Sequence, residues 1–185
     1  MIDATAACLA EKGVGGASVR AICTRAGVSP GLLRHYFDGV DALIAETYRA
    51  TSTRLSDAVS AAVAGAGQDS RARLIAYVTA NFRPPVADPL LLATWIAFWS
   101  LIRSDPQIAA IHKESYAAFR KELEALLIEC GLPAERTPSI AIALTALVDG
   151  LWLELSLDSS TLSGDEATAI ATSWVEALLE YPDFN

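Results

Sequence analysis

Hydrogen-bond donors are concentrated in one short segment near the start of the chain. Arg34, His35 and Tyr36 stand side by side, directly after residues 29–33, which read Ser-Pro-Gly-Leu-Leu. Arginine, histidine and tyrosine side chains donate hydrogen bonds to phosphate oxygens and base edges. A glycine beside them lets the backbone approach a ligand closely. These residue types in this order favour contact with double-stranded DNA.

Two short helices are expected to position these donors. Ser18 is a suitable N-cap for a helix over about 19–26, and Gly27 can turn at positive φ. Ser29 followed by Pro30 predicts an abrupt second helix, because a capping hydroxyl precedes a ring whose φ is already helical. The pattern predicts a helix-turn-helix, whose second helix enters the major groove. Ordinary punctuation of an αα-hairpin is the alternative.

The flanking residues extend this pattern. Ile2, Ala6 and Leu9 lie on one face of a predicted first helix, which Gly13 ends. A long helical pattern follows from about Val40. The chain should therefore begin with three short helices and a long fourth one.

This arrangement resembles the N-terminal domain of the TetR family of bacterial repressors. The shared pattern runs from Ile2 to about Thr47 and includes Ala-Gly-Val-Ser and a short recognition helix that ends His-Tyr-Phe. The resemblance implies a DNA-binding domain over 1–47, a double-stranded operator, and core positions for Leu33 and Phe37. It implies DNA contacts by Ser18, Arg20, Ser29, Pro30, Gly31, Leu32, Arg34, His35 and Tyr36.

The chain departs from the family pattern at two places. Val40 stands where the family commonly has a lysine at the start of the fourth helix, so one phosphate contact is missing. The first helix begins at Met1, where family members usually carry a basic arm. Either the start is truncated or the arm is absent.

The charge is unevenly distributed. Of the net charge of −8, residues 1 to 50 contribute nothing, because they hold five basic and five acidic residues. The remainder carries nine basic and seventeen acidic residues, and 9 − 17 = −8. An acidic body attached to a neutral DNA reader predicts modest non-specific DNA binding and a need for dimerisation.

The remaining composition indicates a globular intracellular protein. Hydrophobic residues make up 52% of the 185 residues and charged residues 19%. We expect a cytoplasmic location and no membrane partner, since no uninterrupted apolar run of about 18 residues and no signal segment is visible. Cys8, Cys23 and Cys130 are isolated, which fits reduced thiols; redox sensing is a weaker alternative.

Beyond residue 47 the sequence predicts an all-α body over 48–185. It contains no strand-like alternation and no internal repeat. Glycine, proline and serine breaks divide it into helices near 40–64, 69–83, 88–103, 106–130, 138–157 and 164–180.

The helix over 138–157 is apolar around its whole circumference, which predicts partners on two faces. We expect Ile140, Leu144, Leu147 and Leu151 to face the protein's own core, and Ala141, Thr145, Val148, Trp152 and Leu155 to face elsewhere, where small residues permit a close contact across a two-fold axis. The family resemblance likewise implies a homodimer through 138–157 and 164–180. A central helix of a monomer is the alternative.

Aromatic residues form a second informative group. Trp95 and Trp99 lie one helical turn apart, and Asp149 lies about one turn before Trp152. Aromatic walls with a carboxylate suit an organic cation. The candidate effector site comprises Trp95, Phe98, Trp99, Tyr116, Asp149 and Trp152. An aromatic core without a cavity is the alternative.

Two segments resemble the BetI-type, choline-responsive members of the family: Trp-x-Ala-Phe-Trp at 95–99 and Ala-Leu-Val-Asp-Gly-Leu-Trp-Leu at 146–153. The resemblance implies a choline-like cation as effector. A hydrophobic drug, an aromatic acid and a polyamine remain open, because a fold does not determine a ligand. In the family mechanism, effector binding changes the separation of the two recognition helices through the long fourth helix, with Asp38 and Gly39 as candidate hinges.

Catalysis is not expected. The two histidines, His35 and His112, fall in different predicted domains, and no nucleophile elbow, phosphate loop, metal-binding signature or cofactor motif is visible. The expected function is a ligand-responsive repressor of transcription. A helical small-molecule sensor or scaffold dimer without sequence-specific DNA binding is the alternative.

Overall fold

The computed structural model describes residues 1–157 and 160–180, and every regular element within these ranges is helical. The α-helices are α1 (Ile2–Lys12), α2 (Val19–Ala26), α3 (Pro30–Tyr36), α4 (Gly39–Gly65), α5 (Ser70–Thr79), α6 (Pro89–Leu101), α7 (Pro106–Glu129), α8 (Thr137–Leu157) and α9 (Gly164–Glu180). Short 3-10 turns lie at Val14–Gly16 and Ala80–Phe82. The predicted all-α class is confirmed.

Local hydrogen bonds set the bounds of the first helices. Gly13 ends α1 with φ 63°, and Gly27 ends α2 in the left-handed region with φ 66°. The Ser18 hydroxyl oxygen accepts a hydrogen bond from the Ala21 backbone N–H at 3.2 Å. The Ser29 hydroxyl oxygen accepts a hydrogen bond from the Leu32 backbone N–H at the start of α3. These caps satisfy N–H groups that lack partners within the helix, so α2 and α3 begin where the sequence predicts.

The helix predicted over 69–83 is shorter in the structure. It ends as α5 at Thr79 and continues as the 3-10 turn at Ala80–Phe82. The buried Asn81 side chain donates from Nδ2 to the carbonyl oxygens of Tyr77 and Val78. An asparagine amide that bonds to these carbonyls competes with the helical ladder and closes the helix.

The chain divides into two compact units. The first consists of Met1–Arg54 and Pro89–Ser115, and the second contains Leu55–Asp88 and the described residues after Ser115. In the first unit α1 packs against α2 and, more extensively, against α6. The Thr94 hydroxyl lies 3.1 Å from the Ala6 carbonyl oxygen in α1 and 2.7 Å from that of Leu90 in its own helix. One hydroxyl proton is therefore shared between the two acceptors.

In the second unit, α5 and the 3-10 turn pack against α9. The indole N–H of Trp152 donates to the Asn81 carbonyl oxygen at 2.7 Å. A Cβ atom at Gly164 would lie 2.7 Å from the Phe82 carbonyl oxygen, so a glycine is required where α9 begins. These contacts fix the starting position of α9 against the turn.

The predicted faces of α8 are partly wrong. Ala141, Thr145, Val148 and Trp152 were expected to face elsewhere, across a two-fold axis, but all four are buried within the single chain. Small residues on this face allow close packing inside the chain instead of across a two-fold axis. Leu144 and Leu151 are buried, as expected. Ile140, Leu147 and Leu155 are only half-buried.

The exposed stripe of α8 lies on a third face. It comprises Ile142, Ala146, Gly150, Leu153 and Leu157, which recur every three or four residues. Among the described residues, α8 is the one helix long and apolar enough to cross a membrane by length and composition, and 33% of its most apolar window is buried. Core helices of soluble proteins share this length and composition.

Candidate DNA-binding and effector sites

Helix α3 presents almost its whole surface to solvent. Leu33 is its one fully buried residue and fastens the helix to the first unit, where α2 packs against α3. Phe37, which caps the C-terminal end, is half-buried, so its predicted core role is only partly met. A short helix held by one leucine leaves its other side chains free to meet a ligand surface.

The residues expected to contact DNA are all exposed. They are Ser18, Arg20, Ser29, Pro30, Gly31, Leu32, Arg34, His35 and Tyr36. The Ser18 and Ser29 hydroxyl oxygens accept backbone hydrogen bonds as N-caps, and their O–H groups remain available as donors to phosphate. The Tyr36 side chain is 65% exposed, and its ring lies edge-to-face with the ring of His35 at 5.0 Å. Their contact with DNA stays a prediction.

The arginines of α2 and α3 differ in whether they form ion pairs. Arg25 pairs with Glu11, and the hydrogen bond from Arg25 lowers the pKa of Glu11. Arg20 and Arg34 form no ion pair within residues 1–157 and 160–180. Both guanidinium groups are exposed and can neutralise phosphates without first breaking an internal pair.

Two of the predicted effector residues belong to an aromatic cluster in the first unit. Tyr48 of α4 stacks on Phe98 of α6, with ring centroids 4.4 Å apart and planes 3° apart. Trp95 meets the edge of Tyr48 at 5.3 Å. The Tyr48 hydroxyl and His112 Nδ1 are hydrogen-bonded at 3.1 Å. Sequence reasoning missed Tyr48, because a single aromatic residue on a long helix carries no local signal.

Two others form a polar pair in the second unit. The Tyr116 hydroxyl donates to Asp149 Oδ1 at 3.0 Å. Burial raises the pKa of Asp149 to about 6, although the Tyr116 hydrogen bond and the positive charge of Arg120 oppose the shift. The Arg120 guanidinium lies over the Tyr116 ring, 5.8 Å from its centroid. Arg120 was missed at the sequence level, because it joins the pair only through the fold.

The other two candidates occupy different environments. Trp99 is half-buried and makes no aromatic ring contact within the described part of the chain. Trp152 is buried, and its indole N–H is bonded to Asn81, so its ring is held rigidly. The structure thus places Trp95 and Phe98 with Tyr48, and Tyr116 with Asp149, in separate units. The effector-binding role of all six residues stays a prediction.

Known proteins with similar sequences and structures agree with this architecture. Residues 1–47 match the model described as bacterial regulatory proteins, tetR family, and residues 70–180 match the BetI-type transcriptional repressor, C-terminal. The HTH-type transcriptional regulator BetI of Burkholderia mallei is 32% identical over 97% of this chain and 91% of its own length.

Solved structures extend the comparison. A transcriptional regulator from Pseudomonas aeruginosa PAO1 superposes with a TM-score of 0.87 at 40% identity, over 97% of this chain and 88% of its own. A regulator from Saccharomonospora viridis, solved in complex with choline, has a TM-score of 0.81 at 18% identity, over 95% and 93% of the two chains. At that identity the second structure supports the fold alone.

The exposed second helix of a helix-turn-helix, joined to a helical body, defines a DNA-binding regulator of transcription, and the matched proteins are regulators of transcription and not enzymes. The chain belongs to the TetR family and has a BetI-type repressor domain over residues 70–180.

Proposed function

We propose that the protein represses transcription as a homodimer that binds a double-stranded operator through α2 and α3 and releases it when a quaternary ammonium effector binds. The observation that carries this proposal is the recognition helix α3, which is exposed except at Leu33. The exposed Arg20 and Arg34 guanidinium groups, which form no ion pair with any described residue, support it electrostatically. The repressor acts in the cytoplasm, where its operator is.

Within this proposal the nine exposed residues of α2, α3 and their N-caps have different tasks. Ser18, Arg20 and Tyr36 bind phosphates, which fixes the register of the protein on DNA. Arg34 and His35 donate to base edges, and Leu32 offers an apolar contact to a thymine methyl group. Ser29, Pro30 and Gly31 hold the start of α3 close to the DNA backbone.

Dimerisation is proposed through α8 and α9. The exposed stripe of α8 is accompanied on α9 by Ile170 and Trp174, and the Trp174 side chain is 63% exposed. Large apolar side chains exposed on both helices are typical of an interface between copies. The exposed stripe replaces the buried face that the sequence favoured. We infer that the high hydropathy of α8 serves this interface and not a membrane.

The effector is proposed to be choline or another quaternary ammonium compound. Support comes from the half-buried Asp149 carboxylate beside the Tyr116 ring, since carboxylates and aromatic faces both attract organic cations. Choline is the first probe to test, because the Saccharomonospora viridis regulator of the same fold was solved in complex with it. Effector-binding roles for Trp95, Phe98, Trp99 and Trp152 stay predictions from the sequence.

Release of DNA requires that the effector bind the DNA-incompetent state more tightly. A coupling free energy of about 1 to 3 kcal/mol would weaken operator binding roughly 5 to 150-fold. We propose that the change reaches the recognition helices through α4, whose Tyr48 lies in the aromatic cluster, with Asp38 and Gly39 as the hinge.

The decisive experiment is a titration of the purified protein against labelled DNA from upstream of its own gene. Scrambled DNA serves as the control, at two salt concentrations, with and without choline. Specific binding that choline weakens is the expected result. Equal affinity for both DNA fragments at low salt, together with binding of choline, would instead favour a helical sensor that does not read DNA.

A further inference from the structure

Arg120 of α7 has a donor without an acceptor. Its Nε atom is buried and forms no hydrogen bond among the described residues. Leaving a charged donor unpaired away from water is energetically costly, and such groups in folded proteins usually have an acceptor. The Arg120 guanidinium also lies against the Tyr116 ring, which places this donor beside the proposed cation site.

The Asp149 carboxylate lies near the same arginine but is not paired with it. The Arg120 charge opposes the rise in the pKa of Asp149, so the two groups are close enough to interact electrostatically. Nevertheless, no nitrogen–oxygen distance of 4.0 Å or less joins them, because Asp149 accepts its hydrogen bond from Tyr116. A positive and a negative group thus flank one tyrosine without meeting each other.

We propose that the effector is a zwitterion, a quaternary ammonium carboxylate, whose cation lies at Asp149 and whose carboxylate accepts a hydrogen bond from Arg120 Nε. The inference rests on the proposed function and narrows its effector class. A purely cationic ligand leaves Nε without an acceptor and is repelled by the guanidinium. A carboxylate supplies the missing acceptor through a charge-assisted hydrogen bond, for which arginine is well suited.

The first test is the ligand preference of the unmodified protein, measured by titration calorimetry. The probes are trimethylammonium carboxylates with one, two or three methylene groups between the charges, compared with choline and tetramethylammonium. We expect the best zwitterion to bind at least about tenfold more tightly than choline, the effect of one charge-assisted hydrogen bond.

Two results would overturn the zwitterion proposal, and only one of them would also overturn the quaternary ammonium effector. Choline binding as tightly as every carboxylate would overturn the zwitterion and retain a cation sensor. No binding by any of the five probes would overturn both the zwitterion and the quaternary ammonium effector.

The second test replaces the arginine. Arg120→Met should weaken the best zwitterion about tenfold or more and leave choline binding unchanged or tighter, since the repulsive charge is removed. Lys121→Met is the matched control, because it removes a neighbouring but exposed charge from the same helix. Its affinities for both probes should equal those of the parent.

Arg120→Lys keeps the charge without the planar guanidinium and covers the case in which the methionine variant does not fold. It should retain binding of choline and lose part of the preference for the carboxylate. Equal losses for choline and the zwitterion in a folded variant would show that Arg120 acts only on the structure, which contradicts the proposal.

Discussion

At the scale of single residues, Gly31 separates the requirements of folding from those of DNA binding. A Cβ atom there would meet nothing closer than the Ser29 hydroxyl oxygen at 3.7 Å, which is an ordinary contact. Gly31→Ala should therefore fold normally and gain up to about 1 kcal/mol in stability from its higher helix propensity. If α3 approaches DNA at this position, operator affinity should fall about tenfold or more.

The measurement is a pair of titrations, urea unfolding and binding to the operator fragment. Gly65→Ala is a suitable control, since a Cβ atom there also meets open space and Gly65 is the last residue of α4. An alanine at Gly31 that leaves operator affinity unchanged would show that α3 does not approach the DNA at this residue.

Arg34 is expected to carry sequence information. Arg34→Ala should weaken specific operator binding by about 1 to 3 kcal/mol and reduce discrimination against scrambled DNA. Lys121→Ala, which removes an exposed charge from α7, controls for net charge. An equal loss on operator and scrambled DNA would reassign Arg34 to a phosphate contact.

We expect Asp149 to make effector binding dependent on pH. Its pKa is raised to about 6, so the carboxylate gains its charge as the pH rises through that value. The affinity for choline should increase between about pH 5 and pH 7 and then level off. Asp149→Asn should bind choline weakly and without this pH step, whereas the exposed Glu154→Gln on the same helix should keep the step. A flat profile for the parent protein would contradict the assignment.

The raised pKa of Asp149 also affects stability, which should decrease with rising pH while the affinity for choline increases. Since the folded-state pKa lies above the ordinary value of 3.8, the folded protein holds this proton more tightly than the unfolded chain. The contribution of Asp149 to the free energy of unfolding should therefore fall as the pH rises from about 3.8 to about 6. Urea unfolding of the parent and Asp149→Asn across this range measures the difference.

The roles of residues that act on near neighbours in the sequence could be predicted. The roles that depend on contacts between distant helices could not. Ser18, Gly27 and Ser29 act through backbone groups three or four residues away, so their cap and turn roles follow from local chemistry. Tyr48 and Arg120 gain their roles from contacts with other helices. No spacing rule connects such residues before the fold is known.

At the scale of helices, the start of α9 depends on the absence of a side chain. Gly164→Ala would place a Cβ atom 2.7 Å from the Phe82 carbonyl oxygen, and a backbone atom cannot yield as a flexible side chain can. We expect a loss of about 1 to 3 kcal/mol in the free energy of unfolding, despite the better helix propensity of alanine.

Urea unfolding of Gly164→Ala and Gly65→Ala tests this expectation, because both replace a helix-terminal glycine but only the first creates a clash. Equal stabilities of the two variants would mean that the turn at Ala80–Phe82 can move away from α9. Thermal unfolding followed by circular dichroism provides an independent reading of the same difference.

The faces of α8 show where a periodicity argument fails. An amphipathic helix has one apolar stripe, and its direction predicts which side is buried. α8 is apolar on all sides, so the pattern predicted two contacts without indicating which face made which. Ala141 and Thr145 pack inside the chain, and Ile142 and Leu153 point outward, because neighbouring helices decide the choice.

At the scale of the whole molecule, operator binding should depend on the association of two chains. Trp174→Glu places a charge on the proposed interface, where its burial in a dimer is unfavourable. We expect a folded monomer by sedimentation, with helical content unchanged and operator affinity strongly reduced, because a monomer reads a single half-site.

Ile128→Glu is the matched control, since it changes an exposed apolar residue of α7, which is not one of the helices of the proposed interface. It should remain a dimer. If Ile128→Glu were a monomer and Trp174→Glu remained a dimer, the interface would lie on α7 and not on α8 and α9.

The packing of α6 on α1 bears on the construction of hybrid repressors. Exchange of residues 1–47 for those of another regulator is an attractive way to join a new operator to an existing effector response. It would also exchange α1, while α6, with its Thr94 hydroxyl directed at the Ala6 carbonyl oxygen, stayed behind. A functional hybrid should therefore carry matched surfaces on these two helices, and libraries that vary α1 and α6 together should yield inducible repressors more often than simple exchanges.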